Sequence, residues 1–285
     1  MGKICNWSHL RALIRNGWLL QKKAKCILIF ELILVLNEGL SMGLNVQNSL
    51  KSDSITGQSM AFVIIVLVTP FAFLFSCIYI FSEMVQEREN RMKESLKIMG
   101  LNKYMYPLSL MIQRGLWTLF TSIMLSMMTY VFNTDRLGFG QFIALCIATW
   151  FLALGNMSVC AVLQNFFSDN KLAAIVGAFL VFVPVSIALI SIVIPLSSVP
   201  PKPNSWVQYL YFLPTFSFEV VVGYIILGDD ELEGAPLFFE QNPAAAWIFL
   251  VLAPVFYYYL QIYVEAITPD KYGITKSCCY CFKRR

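Results

Sequence analysis

The sequence predicts an all-α polytopic membrane protein with six transmembrane helices, a re-entrant extracellular helical hairpin and an amphipathic cytosolic coupling helix. Three observations carry that prediction. Of 285 residues, 58% are hydrophobic and 13% charged, where a soluble domain carries about 25% charged; mean hydropathy is +0.66. Residues 60–82 run without a charge and then break into the dense mixed charge of residues 83–97. At about 1.5 Å per residue that run crosses a hydrocarbon layer of about 30 Å, and its charged continuation must stay at the water boundary. Finally, 17 of the 21 Lys and Arg fall in segments that the six-span count puts on one side. The positive-inside rule makes that side the cytosol, with both termini there.

The elements follow in order. In residues 1–25, Trp7, Leu10, Ile14 and Trp18 recur at helical spacing beside Arg11, Arg15, Lys22 and Lys23. That is the pattern of an interfacial helix whose cations meet anionic headgroups of the inner leaflet. No secretory leader pattern opens the chain, so the first span does the targeting. The spans are expected at 26–46, 60–82, 105–132, 139–167, 172–196 and 244–267, within a transmembrane domain of residues 26–267. Each is expected to be a helix, the open-ended element that satisfies its own backbone in lipid. Pro70 and Pro184 fall mid-span and are expected to kink their helices. Outside lie Lys51, Arg136 and Lys202, while Arg114 falls within a span.

Residues 206–227 form a further apolar run. Spanning there would throw the basic tail, residues 268–285, to the outer side. Pro214 and Gly223 interrupt the run, and Asp229, Asp230, Glu231 and Glu233 follow it. These features favour a re-entrant hairpin dipping into the outer leaflet, its turn covered by protein.

The charged segment 83–101 reads as a helix. Val85, Met92, Leu96 and Met99 make one apolar stripe. Glu87 stands four before Arg91 and Glu89 four before Lys93, an orientation that supports a helix by roughly 0.2–0.5 kcal/mol per pair. The bland alternative is a solvated connector; the length and regularity favour a coupling helix that touches something soluble.

Ionisable groups at membrane depth are Glu31, Glu38, Arg114, Glu219 and Glu265. Each is expensive in lipid and must face protein or water. Glu31 and Glu38, seven apart, share a helix face. With Gln113, Arg114 and Asn156 they could line a polar pathway; alternatively Glu31 and Arg114 form an interhelical ion pair that locks packing. The eight cysteines suggest no disulfide framework. Cys278, Cys279 and Cys281, in the basic tail, are candidates for S-palmitoylation, against a default of unmodified linker cysteines; as a zinc site they are weak. No phosphate loop is present, His9 is the sole histidine, and no nucleophile elbow or metalloprotease helix occurs. The chain therefore has no visible means of hydrolysing ATP and calls for no metal or cofactor of its own. Nothing in it points to a nucleic-acid partner.

Residues 82–101, with Glu87-Arg88-Glu89, Lys93-Glu94 and the closing Ile98-Met99-Gly100-Leu101, resemble the segment after the second span in ABC transporters of subfamily A, the lipid exporters. Phe166-Phe167-Ser168-Asp169-Asn170-Lys171 is similar to that family's approach to the fifth span. Tyr263-Val264-Glu265-Ala266-Ile267-Thr268-Pro269-Asp270-Lys271-Tyr272-Gly273 resembles its exit from the sixth, with Asp270 where the family has glycine. Leu213-Pro214-Thr215-Phe216 resembles the family's hairpin. The likeness covers nearly the whole chain, in order. It departs in having only residues 47–59 between the first two spans, where the family places a large extracellular domain, and in stopping at Arg285 before a nucleotide-binding domain.

The resemblance implies an exporter permease that pairs with a second transmembrane domain, identical or different. It implies lipid as cargo and ATP with Mg bound on a partner ATPase domain or subunit, contacted through Glu87, Arg88, Arg91, Lys93 and Glu94. The rival expectation is a truncated, non-transporting subunit that modulates full transporters. A third, an ATP-independent channel or carrier, lacks the rings of like charge or paired broken helices such proteins use.

Overall fold

The computed structural model describes residues 11, 14–15, 25–50, 55–89, 105–134, 137–167, 211–227 and 243–268. Among the described residues every regular element is helical. These are α1 (Lys25–Leu50), α2 (Ile55–Ala72), α3 (Leu74–Glu89), α4 (Met105–Phe132), α5 (Phe139–Leu163) with a 3₁₀ turn at Gln164–Phe166, α6 (Pro214–Leu227) and α7 (Pro243–Ile267). Most of the expected N-terminal interfacial helix, residues 90–101 of the coupling helix, the fifth span with Pro184, residues 206–210 of the hairpin and the cysteine-bearing tail lie outside the described residues.

Among the described residues, four segments are long and apolar enough to cross a membrane: Ile64–Gln86, Met105–Phe132, Phe139–Phe166 and Pro243–Ile267. They correspond to the second, third, fourth and sixth expected spans. The first falls on α1, a continuous helix of 26 residues that turns polar in its second half, with Asn37, Glu38, Asn45, Gln47 and Asn48.

The polarity of α4 is inverted relative to a helix on a soluble core. Its outward face carries Leu116, Phe120, Ile123, Met127 and Val131, while Ser109, Gln113, Arg114, Thr118, Thr121, Ser122, Ser126 and Thr129 are buried. Lipid tails are as apolar as leucine, so helices in a bilayer associate through small side chains and hydrogen bonds rather than by excluding water. Several of those hydroxyls donate within α4, as Thr118 to the Gly115 carbonyl (3.1 Å) and Thr129 to the Leu125 carbonyl (3.0 Å). Such an arrangement belongs in a membrane, and the chain is an integral membrane protein.

Close approach is set by glycines. On α1, Gly39 and Gly43 face α4: a methyl group on Gly39 would stand 3.3 Å from Met128, and one on Gly43 would collide with the Phe132 ring. This Gly39-x-x-x-Gly43 pair is a membrane packing motif that the sequence shows plainly. Helices α4 and α5 run antiparallel and are pinned where the Trp150 indole N–H donates to the Gly115 carbonyl at 2.9 Å.

The expected kink at Pro70 takes the form of a break. Proline cannot donate to the carbonyl one turn back, and the helix is interrupted at Phe73. There the backbone N–H turns to the Pro70 carbonyl at 3.3 Å, and helical bonding resumes with Cys77 N–H on Phe73 at 3.1 Å. Thr69 adds to the bend by donating its hydroxyl to the Ile65 carbonyl at 2.7 Å. Beyond the break α3 continues without interruption from the packed interior to Glu89. A second intrahelical proline, Pro254 in α7, was not singled out from the sequence; α7 passes through it unbroken.

Candidate functional site

Four side chains from three helices meet inside the bundle. Arg114 stands about nine residues, roughly 14 Å, into α4. Its Nη1 lies 3.4 Å from Glu31 Oε2 on α1, and its guanidinium carbon lies 3.4 Å from the centre of the Tyr79 ring on α3. The Ser76 hydroxyl, also on α3, donates to Glu31 Oε1. Ser76 and Tyr79 are three apart and so share a helix face, in the first two turns after the break at Phe73. Glu83, one turn farther on, is within hydrogen-bonding reach of Tyr79.

The cluster is dry: Arg114 is 1% and Glu31 2% exposed. Isolated charges at the centre of a membrane helix cost about 2.5–3.5 kcal/mol each on insertion scales, so neither would persist here alone. Pairing offsets that cost, and the aromatic face adds about 2 kcal/mol when desolvated. Satisfaction is nevertheless incomplete. Arg114 Nε has no hydrogen-bond partner, and 3.4 Å is long for a charge-assisted bond, which settles at about 2.7–2.9 Å. A network short of its best geometry can be rearranged at small cost.

The remaining sequence candidates are distributed as follows. Gln113 is buried beside Arg114 on α4. Glu38 lies two turns beyond Glu31, half-buried, with Oε2 lacking a hydrogen-bond partner. Asn156 does not join the cluster; its Oδ1 accepts from the Thr215 hydroxyl at 3.5 Å. Glu219 is buried within α6, and Glu265 is half-buried near the end of α7. Of the coupling residues, Glu87 and Arg88 lie on the helical backbone of α3; Arg91, Lys93 and Glu94 fall outside the described residues. Ser76 and Tyr79 escaped the sequence reading, although two polar residues three apart in an apolar span were a usable signal.

A second constellation surrounds α6. Pro214 occupies its first helical position, where the missing N–H is harmless, and presses on Gly155 of α5; a methyl group there would sit 2.6 Å from Pro214 Cβ. At the other end of α6 the Gln141 amide donates to the Ile225 carbonyl at 2.9 Å. Helix α6 is therefore antiparallel to α5, with its N-terminus about 16 residues, or roughly 24 Å, along α5 from the α5 start. With 14 residues it is too short to cross a bilayer. Tyr257 of α7 donates its hydroxyl to the Phe212 carbonyl at 2.9 Å, and Phe212 packs on Phe249 and Phe256 with ring centres 5.4 and 5.6 Å apart.

Comparison with known proteins places this architecture. Residues 20–263 match the model of the ABC-2 family transporter protein. The chain is 30% identical over 233 residues to the cholesterol transporter ABCA5 of Homo sapiens. It is 30% identical over 230 residues to the protein of that name in Rattus norvegicus, and 28% over 230 in Mus musculus. Each match takes in 77% of this chain and 13% of the relative, so the chain spans about an eighth of the length of those proteins. A buried, incompletely satisfied charge cluster in an inverted-polarity bundle thus sits in a chain that belongs to the ABC-2 family of transporter proteins, as a transmembrane domain of the ABC subfamily A type.

Proposed function

We propose that this chain is the permease part of an ABC-type exporter that moves lipids or other amphipathic molecules, driven by ATP hydrolysis on a partner nucleotide-binding domain or subunit that binds ATP and Mg. In this reading it crosses the membrane six times with both termini in the cytosol, and it pairs with a second transmembrane domain, identical or different. Residues 206–227 form a re-entrant hairpin. The depth reached by the α6 N-terminus supports that reading, since Pro214 and Phe212 lie far from the end of the bundle where α5 begins. Glu87, Arg88, Arg91, Lys93 and Glu94 take up the push of the ATPase. The relatives are cholesterol transporters by name, which favours a sterol among the possible cargoes.

The observation that carries the proposal is the match to the transporter family across residues 20–263. In support, α3 runs as one helix from the charge cluster to the charged segment, which gives a rigid connection between a cytosolic partner and the membrane interior. The test is reconstitution of the protein in liposomes holding a fluorescent sterol or phospholipid, with the ATPase that co-purifies with it. ATP-dependent export is expected, abolished when Glu87, Arg88, Arg91 and Lys93 are changed together to alanine. Persistent failure to capture any ATPase, with no transport when one is added, overturns the proposal; unchanged transport by the alanine variant overturns the assignment of the coupling residues.

A further inference from the structure

Ser76 and Tyr79 hold a position that neither the proposed coupling residues nor the family match assigns. They lie in the first two turns of α3 after the interruption at Phe73. From that interruption to Gln86 the helix extends for about 20 Å. Below Phe73, α3 is held to α1 through Ser76 and Glu31, and to α4 through Tyr79 and Arg114. Above it, α2 packs on α1 and α6, with Thr69 and Phe73 fully buried. A rod interrupted at one end, clasped just past the break and otherwise packed along α5, with Ile80, Phe81 and Val85 buried, has its softest motion in tilting about the break.

We infer that α3 is a lever that pivots at Phe73, and that Ser76 and Tyr79 are positioning residues which latch it onto the Glu31–Arg114 pair. The inference rests on the proposed function for its driving force but not for its test. When the charged end of α3 is displaced, the latch moves least and bears the largest force, because its lever arm is the shortest. The Arg114 guanidinium lies over the flat face of Tyr79, a contact that tolerates lateral movement better than a directed hydrogen bond does. Movement of one helix is thereby handed to α1 and α4 together, two helices that otherwise meet α3 little.

The test is a pulsed-EPR distance measurement on the protein in lipid nanodiscs, without nucleotide or cargo. One pair of spin-labelled unnatural amino acids is placed at the exposed positions Gln86 and Ile143. A control pair at Val131 and Ile143 reports on α4 against α5, away from the latch. Tyr79→Leu, which removes the aromatic face but no charge, is expected to shift or broaden the Gln86–Ile143 distribution beyond its wild-type width and to leave the control pair unchanged. Tyr79→Phe, which keeps the face, is expected to restore the wild-type distribution. The combined Glu31→Gln and Arg114→Gln variant should reproduce Tyr79→Leu. If Tyr79→Leu and the double variant both leave Gln86 where it was, or if both pairs move together, the cluster is ordinary packing and the lever is wrong. Absence of ATP-driven transport would sink the proposed function while leaving this result standing; an immobile Gln86 would sink the lever while leaving transport intact.

Discussion

The two sides of the bundle are held together by different physics. Around Arg114, apart from the Gly39 and Gly43 contacts of α1 with α4, helices α1, α3 and α4 meet through a long ion pair, a cation over a ring and a hydroxyl on a carboxylate, with a guanidinium nitrogen left over. Where α5, α6 and α7 meet, the contacts are a proline seated on a glycine, a tyrosine hydroxyl on a backbone carbonyl, and aromatic rings at centre distances below 6 Å. The second set is fixed by shape and tolerates no repositioning. The first is directional only in part and stays attractive over a range of geometries. A transporter domain needs both, a frame that keeps its form and a joint that gives.

Four substitutions would break or sharpen that contrast. The largest effect is expected from Arg114→Leu, which strands Glu31 in a dry interior and should lose about 3–5 kcal/mol, read as a lowered unfolding midpoint in mild detergent. Adding Glu31→Leu should recover most of that loss, since a matched apolar pair removes the uncompensated charge. On the other side, Gly155→Leu should cost about 1–3 kcal/mol by overpacking against Pro214, and no single compensating change at a charged site should rescue it. The smallest effect is Tyr257→Phe, which leaves the Phe212 carbonyl without its donor and should cost about 1 kcal/mol by the same assay. If the charge-cluster variant proved unrescuable and the glycine variant harmless, the contrast between joint and frame would be reversed.

Much of the frame was legible in the sequence, because crossing a membrane needs long apolar runs, which are visible in one dimension. The break near Pro70 was legible for the same kind of reason, since a missing N–H is a property of one residue. The cluster was legible as an inventory and as one candidate pair, Glu31 with Arg114, which the structure brings together. Glu31 and Arg114 stood out as costly in lipid, yet they lie 83 positions apart, and nothing in local spacing chooses between a paired and a pathway arrangement. Asn156 stood beside them in that inventory, whereas the geometry sets it against Thr215. Ser76 and Tyr79 passed unnoticed because a hydroxyl and a phenol are common in membrane helices and gain meaning only from what lies opposite. Gly39 and Gly43 were legible as a packing motif, but the helix they pack on was not.

The central claim is that the Glu31–Arg114–Tyr79 cluster carries force between the charged end of α3 and the rest of the bundle. It is tested most directly by the number of ATP molecules hydrolysed per lipid exported in proteoliposomes, comparing wild type with the folded Glu31→Leu and Arg114→Leu double variant. The account predicts that hydrolysis by the partner ATPase continues near its normal rate while export falls at least about tenfold, a difference of about 1.4 kcal/mol in barrier. An unchanged ratio, with both activities intact or both lowered in step, would contradict it.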